Sequence, residues 1–299
     1  MINNDILIGA HESIAGGVHT AFERAHRAGC RTLQVFTKNN TQWVARPLTG
    51  EDVANYKTAA SKSTVHPVVA HASYLINLAS DNPATLTKSR EALADELSRC
   101  DLLDIPFLVI HPGAHMGKGE VEGIQRIIES LDVVHSRTHG LRVATTLETT
   151  AGQGSSVGYT FEHLRRIMDG VEERSRVKVC LDTCHVFAAG YDIRDAQSYN
   201  RTMSEFETII GFGNLAVIHT NDSRKGLGSR VDRHEHIGEG AIGLEGFRLL
   251  INDSRCHNIP KILETEKDED LKDDIRNLAT LRSLWNQNAH PDQSGSSNV

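Results

Sequence analysis

"VKVCLDTCHVFAAGYD", residues 177–192, sets a run rich in β-branched residues directly against two cysteines, an aspartate and a histidine. The opening six residues read as a strand buried on both faces, because a half-exposed strand would alternate apolar and polar side chains more strictly. If Asp182 ends that strand, Cys180, two residues earlier, points the same way but one layer deeper. Spacing alone leaves two candidate pairs of metal ligands, Cys180 with Cys184 and Asp182 with His185. The rest of the chain decides between them.

Seven more apolar runs follow the same pattern: "DILIGAH" from Asp5, "TLQVFTK" from Thr32, "PVVAHA" from Pro67, "FLVIHPG" from Phe107, "RVATTLE" from Arg142, "LAVIHTND" from Leu215 and "KILETE" from Lys261. Amphipathic stretches lie between them, such as "TLTKSREALADELSRCDLL" from Thr85 and "TFEHLRRIMDGVEE" from Thr160. Their apolar residues recur at helical spacing with charges on the opposite face. Strands thus return every roughly 30 to 45 residues, the length of a strand–helix unit with its loops. Eight such units predict an α/β fold, a single (β/α)8 TIM barrel with a metal site at the C-terminal face of its strands. A doubly wound open sheet is disfavoured, because no Gly-rich phosphate loop follows the first strand. The barrel domain is expected over 1–285. Residues 286–299, "NQNAHPDQSGSSNV", are polar and read as a disordered tail.

Hydrophobic residues make up 39% and charged residues 24% of the 299, the balance of a globular protein with a sizeable core. No apolar run of about 18 residues is present to span a membrane, and the first residues do not follow the pattern of a secretory signal. Five cysteines, an odd number, suit reduced thiols and a cytoplasmic setting. The formal charge of −7 speaks against a nucleic-acid partner, unless bound cations are missing from the count.

In a barrel of this kind the active site is built at the carboxyl ends of the strands. Here the third run ends at His71, the fourth at His111 and the fifth at Glu148. The sixth ends at Asp182 with His185 just beyond, the seventh at His219 and the eighth at Glu264; the loop after the seventh adds Asp232 and His234. One histidine at a strand end is usually a hydrogen-bonded structural residue. Six successive strand ends are a different matter. Four carboxylates gathered without cations would repel one another and be costly to desolvate. Five imidazoles and four carboxylates suit zinc or manganese, and nine ligands are too many for one catalytic zinc, which takes three from the protein. Three divalent ions sharing one bridging carboxylate fit, and they move the formal charge from −7 to about −1. An anionic substrate is then no longer excluded. In this set Asp182 and His185 are the ligands of the opening stretch, with Cys180 and Cys184 as packing residues.

The segments "GAHESIAGG", "FTKNNTQW", "HASYLINLAS", "IHPGAH", "AGQGSSVG", "LDTCHVFAAGYD" and "GSRVDRHEHIGEG" together resemble the endonuclease IV family of zinc-dependent apurinic/apyrimidinic endonucleases, from Ile8 to about Glu266. The resemblance implies a (β/α)8 fold and three zinc ions; the donor set would also accept manganese at one site. His71, His111 and Glu148 would hold the first; Glu148 would bridge to a second with Asp182, His219 and Glu264; His185, Asp232 and His234 would hold the third. Glu148 and Glu264 would be the catalytic residues, working with water activated by the ions. The implied reaction is hydrolysis of the phosphodiester 5′ to an abasic site in double-stranded DNA, with trimming of blocked 3′ ends, by a monomer in the bacterial cytoplasm. Tyr74 and Leu75 match the residues that wedge into the duplex, a task suited to an aromatic beside an aliphatic side chain. Lys38, Gln42 and Arg230 would contact the groove or phosphates, and Trp43 would shape its loop.

His11 and His115 are expected to support the centre or touch phosphate. Three places depart from the family pattern: Thr41 where a basic residue is common, Thr149 where Asn is usual, and "LETEKDED", which predicts a more flexible and acidic last loop. The competing readings are a sugar isomerase or epimerase on the same barrel, and a damage-binding protein without catalysis. The first has no use for a third site at Asp232 and His234. The second would be marked by a missing ligand, and none is missing.

Overall fold

Each of the eight apolar runs forms a strand in the computed structural model, which describes residues 6–268 and 270–285. The strands are β1 Ile8–His11, β2 Thr32–Phe36, β3 Val68–His71, β4 Phe107–Ile110, β5 Ala144–Glu148, β6 Val177–Asp182, β7 Leu215–His219 and β8 Lys261–Leu263. Every strand pairs in parallel with its sequence neighbours, and β1 closes the barrel against β8. The expected eight-unit barrel is the observed one. The tail predicted for 286–299 lies outside the described residues.

Between the strands run α1 Ala21–Ala28, α2 Gly50–Lys62, α3 Pro83–Leu102, α4 Glu120–Arg137, α5 Phe161–Gly170, α6 Thr183–Ala189, α7 Ala196–Ile209 and α8 Gly243–Ile251, with α9 Lys272–Ser283 after β8. Their starts follow capping chemistry. Thr49 and Asp52 form a reciprocal capping box on α2, and Asn82 caps α3 ahead of Pro83. The helix expected from Thr160 stops at Gly170, because Val171 turns into the core and the Glu172 N–H bonds Asp132 instead. No helix among the described residues is long and apolar enough to cross a membrane.

Inside the barrel, Val69, Val109, Cys180, Val217 and Ile262 form a fully buried layer, separate from the larger core between strands and helices. Cys180 therefore lies below the mouth, as its spacing from Asp182 predicted. Two short antiparallel ribbons shape the mouth: Gly113–Ala114 with Ser156–Val157, and Asp222–Ser223 with His234–Glu235. The second ties the loop carrying His234 to the segment leaving β7.

Candidate metal centre

The nine strand-end and loop residues converge at the C-terminal mouth as three adjacent groups, the first two sharing Glu148. Candidate ligand atoms within each group lie within 4.8 Å of one another: His71, His111 and Glu148; Glu148, Asp182, His219 and Glu264; His185, Asp232 and His234. Glu148 divides its carboxylate between the first two. Its Oε2 lies 3.2 Å from His71 Nε2 and 3.1 Å from His111 Nε2, while its Oε1 lies 3.0 Å from His219 Nδ1. Glu264 Oε2 is 3.1 Å from the same His219 nitrogen. In the third group, Asp232 Oδ2 is 3.1 Å from His185 Nε2 and Oδ1 is 3.5 Å from His234 Nε2.

These separations match the edges of a tetrahedron around zinc, about 3.3 Å for metal–ligand bonds near 2.0 Å. The protonation pattern fits as well. His71 Nδ1 donates to the Ala72 carbonyl at 2.7 Å, His185 Nδ1 to that of Thr149 at 2.8 Å, and His234 Nδ1 to that of Glu264 at 3.1 Å. A carbonyl can only accept, so each Nδ1 carries a proton and each neutral ring turns its Nε2 lone pair inward. His185 Nε2 and His234 Nε2 then face each other at 3.5 Å. Two lone pairs at that distance repel unless a proton or a cation lies between them, and the donor set suits a cation.

The charge balance says the same. Burial opposes ionisation of Glu148, yet His111 and His219 hold its carboxyl well below the ordinary range. Glu264 is likewise buried but held low by His219 and His11. Asp232 is pulled down to about 2 against its burial, chiefly by His185. Burial would deprotonate His71 and His185, but the facing carboxylates raise both. In the metal-free centre protons do the work that cations do when bound.

Local structure aims these side chains. Asp182 caps α6, its Oδ1 accepting the His185 N–H at 2.8 Å, which leaves Oδ2 to face the second group. Asn221 donates to that Oδ2 at 2.7 Å and accepts the Glu264 N–H at 2.7 Å. Gln153 accepts the Asp232 N–H at 2.9 Å. Asp222, fully buried, accepts backbone N–H groups from Ser223, Gly238, Gly240, Ile242 and Gly243, and so staples the loop that bears His234. Gly240 is needed there, since a Cβ would collide with the Asp222 carboxylate. Four further residues around the centre, Gln34, Gln153, Asn221 and Asp222, are not evident from the sequence. What signal there is for Gln34, Asn221 and Asp222 is a polar residue buried within or beside an apolar strand, as in "TLQVF" and "HTND", whereas Gln153 is exposed on a loop and carries no such signal.

The cysteines of the opening stretch are both buried, and burial pushes each thiol up to about 12. Cys184 also comes within ligand distance of Asp182 and His234, but its Sγ donates to the Arg233 carbonyl at 3.6 Å. A thiol held neutral is the poorer ligand.

The predicted DNA-contacting residues divide. Tyr74 is 62% exposed at the rim, with Leu75 half-buried beside it. The Tyr74 ring sits 5.3 Å from that of His71 and 5.7 Å from Phe36, so the rim aromatic stands directly on the first group. Gln42 and Arg230 are exposed, and the Arg230 guanidinium lies 4.5 Å over the Tyr159 ring. Lys38 is a correction. It is 5% exposed, its Nζ donates to the Gln42 and Trp43 carbonyls, and Glu96 lies 3.3 Å away. It braces the Gln42 loop from beneath, and no part of its ammonium is left for phosphate.

Trp43 packs against the core, as expected of a loop-shaping residue. His11 lies 3.0 Å from Gln34, and His115 accepts the Gly119 N–H, so both act within the protein. The departures from the family pattern have local consequences. Thr149 accepts the Asp182 N–H at 2.9 Å through its hydroxyl, so a hydrogen bond next to the centre survives the exchange. Thr41 bonds Asn39. The last loop is tied down where the structure describes it, through Glu266 with Arg224 and Lys267 with buried Asp274.

Residues 22–283 match a family described as "Xylose isomerase-like TIM barrel". A protein of Chloroflexus aurantiacus described as "Probable endonuclease 4" is 49% identical over 276 residues, covering 92% of this chain and 97% of the relative. The crystal structure of endonuclease IV from Thermus thermophilus superposes with a TM-score of 0.83 at 35% identity, covering 93% of this chain and 98% of that one. A D-tagatose 3-epimerase-like protein superposes with a TM-score of 0.72 but only 17% identity over 93% of this chain and 97% of its own, a likeness of fold alone. With near-complete coverage and identity approaching one half, this chain belongs to the endonuclease IV family.

Proposed function

We propose that this protein is a DNA-repair endonuclease that hydrolyses the phosphodiester 5′ to abasic sites in duplex DNA, leaving a 3′-hydroxyl and a 5′-deoxyribose phosphate, and that the same centre trims blocked 3′ ends. The observation that carries the reading is one buried carboxylate, Glu148, shared between two ligand groups, with a third group of His185, Asp232 and His234 beside them. Three zinc ions suit this set, with manganese able to replace one. His71, His111 and Glu148 would hold the first, Glu148, Asp182, His219 and Glu264 the second, and His185, Asp232 and His234 the third. Such ions lower the pKa of water from 15.7 to about 7, which makes hydroxide available at neutral pH at about 12 kcal/mol less cost, and they stabilise charge on phosphoryl oxygens.

The chain's own residues set the geometry. Glu148 turns one oxygen to each of two groups and so fixes their spacing. Glu264, the second catalytic carboxylate, keeps Oε2 beside His219 while Gln34 holds its Oε1 at 2.6 Å. Tyr74 and Leu75 part the base stack at the lesion, and the contact of Tyr74 with His71 sets the opened backbone over the ligands. A cleft of about 380 Å³ between Tyr74, His111, Gln153 and Asp232 offers room for the extruded sugar. Gln42 and Arg230 take the flanking backbone, with Lys38 supporting the loop of the former. The protein acts as a monomer in the cytoplasm on this reading.

A duplex carrying one tetrahydrofuran abasic analogue tests it, with an undamaged duplex as control. The analogue cannot undergo β-elimination, so one cut leaving an extendable 3′-hydroxyl is the expected product. Intact strands with metal-replete protein would sink the proposal, and a retarded but uncut complex would turn it toward damage binding.

A further inference from the structure

β2 places a glutamine where its neighbours are apolar. Gln34 is fully buried between β1 and β3, opposite His11 and Val69 in the strand register. A buried amide without partners would destabilise the strand. Gln34 sends its side-chain bonds to the mouth: Nε2 lies 2.6 Å from Glu264 Oε1 and 3.0 Å from His11 Nδ1, and Oε1 lies 2.8 Å from His219 Nε2.

The proton positions follow from what each group can do. An ionised carboxylate only accepts, so the amide atom facing Glu264 is the nitrogen. The amide oxygen therefore faces His219, and because it too only accepts, His219 Nε2 carries the proton. The neutral ring then has its lone pair on Nδ1, the atom turned to Glu148 and Glu264 Oε2. His71, His185 and His234 settle the same question with backbone carbonyls, which no substitution removes. His219 presents the opposite nitrogen, and a side chain selects it.

We infer that Gln34 is a positioning residue of the second ligand group: one amide selects the His219 tautomer and holds one oxygen of Glu264, so that His219 Nδ1 and Glu264 Oε2 aim at the same ion. The inference rests on the reading of this group as an ion site. It assigns Gln34 no contact with substrate.

Gln34→Met keeps the volume and removes every bond. Gln34→Glu keeps an oxygen for His219 Nε2 but sets a carboxylate against Glu264. Wild type and both variants, stripped of metal, would be titrated with cobalt(II) while each filling step is followed by visible absorption, with thermal unfolding recorded alongside. In Gln34→Met one step is expected to weaken by about 10- to 100-fold with a changed absorption band, the other steps staying as in wild type. Gln34→Glu is expected to bind weakly at that step yet keep a band closer to wild type, because His219 retains its acceptor. Unchanged titration of Gln34→Met would overturn the inference. So would equal weakening of every step with a collapsed unfolding transition, the mark of a merely structural glutamine. A wild-type protein that took up no cobalt would instead sink the metal-centre reading itself, and the inference with it.

Discussion

The two halves of the metal centre are held by different means. Glu148, Asp182 and His219 sit on strand ends with no exposure, and Glu264 directly follows β8. Their placement comes from the barrel's closed ladder. Asp232 and His234 sit on a long loop, with side chains 39% and 18% exposed. Their placement comes from the Asp222 staple, the small ribbon with Asp222–Ser223 and the bond from Gln153. A site on strands inherits the rigidity of the fold, whereas a site on a loop needs dedicated polar contacts to reach the same precision. The lesson is that similar-looking ligands are vulnerable to different mutations.

The largest expected effect comes from the residue shared within the strand-borne half. Glu148→Gln keeps the shape but removes the charge and turns a donor toward imidazole nitrogens. Loss of several kcal/mol of transition-state stabilisation lowers incision by about a thousandfold. Metal analysis of the purified variant is expected to show two ions lost, against one for Asp232→Asn. Equal losses would break the distinction between a bridging and a terminal carboxylate. Asp222→Asn touches no proposed ligand, yet it replaces an acceptor of several N–H groups with a donor. It is expected to cost about 3 kcal/mol in urea unfolding. It should also loosen the loop-borne ion alone, which metal analysis would resolve. A variant that kept full metal content would show the staple to be dispensable.

The same division explains how much was legible beforehand. The strand-borne ligands could be read because a barrel strand exposes its final residue at the mouth, so His71, Glu148, Asp182 and His219 announce themselves at the ends of apolar runs. Asp232 and His234 were placed by their alternation and by the family resemblance. What fixes their loop was not legible, because Asp222 bonds residues 16 to 21 positions further on. Lys38 failed for a related reason. A lysine in a polar loop reads as solvent-facing, and only the fold reveals buried Glu96, brought from α3, as its partner. Gln34 was hidden by its strand, since its partners at positions 219 and 264 lie on the far side of the sequence.

Tyr74 offers a smaller test, at the point where the rim meets the strand-borne half. Because the ring is largely exposed, Tyr74→Ala is expected to leave stability within about 0.5 kcal/mol. Its loss should lower kcat/KM on the abasic duplex by about 10- to 100-fold, the equivalent of part of the unstacking energy. Metal content should not change. Lost metal would mean that the contact with His71 serves the ligand rather than the DNA.

The mildest test reads both halves at once, through pH. In the metal-free centre His71 and His185 are held above the ordinary 6.5 by facing carboxylates that outweigh burial. Their stabilising contribution is complete below pH 6.5 and is lost as pH rises through the raised values. Glu148 and Glu264 lie below the ordinary 4.5, so their contribution is present above that pH and lost as pH falls through the lowered values. Metal-free protein is therefore expected to be most stable between about pH 4.5 and 6.5. Bound ions need neutral imidazoles, so their contribution grows in the opposite direction, as protons leave. Thermal unfolding with and without chelator should show two curves diverging from about pH 6.5 to pH 8, the metal-free one falling. A metal-free protein that gained stability over that range would mean that the imidazoles are already neutral. The charges gathered at the mouth would then be balanced by something other than protons or ions.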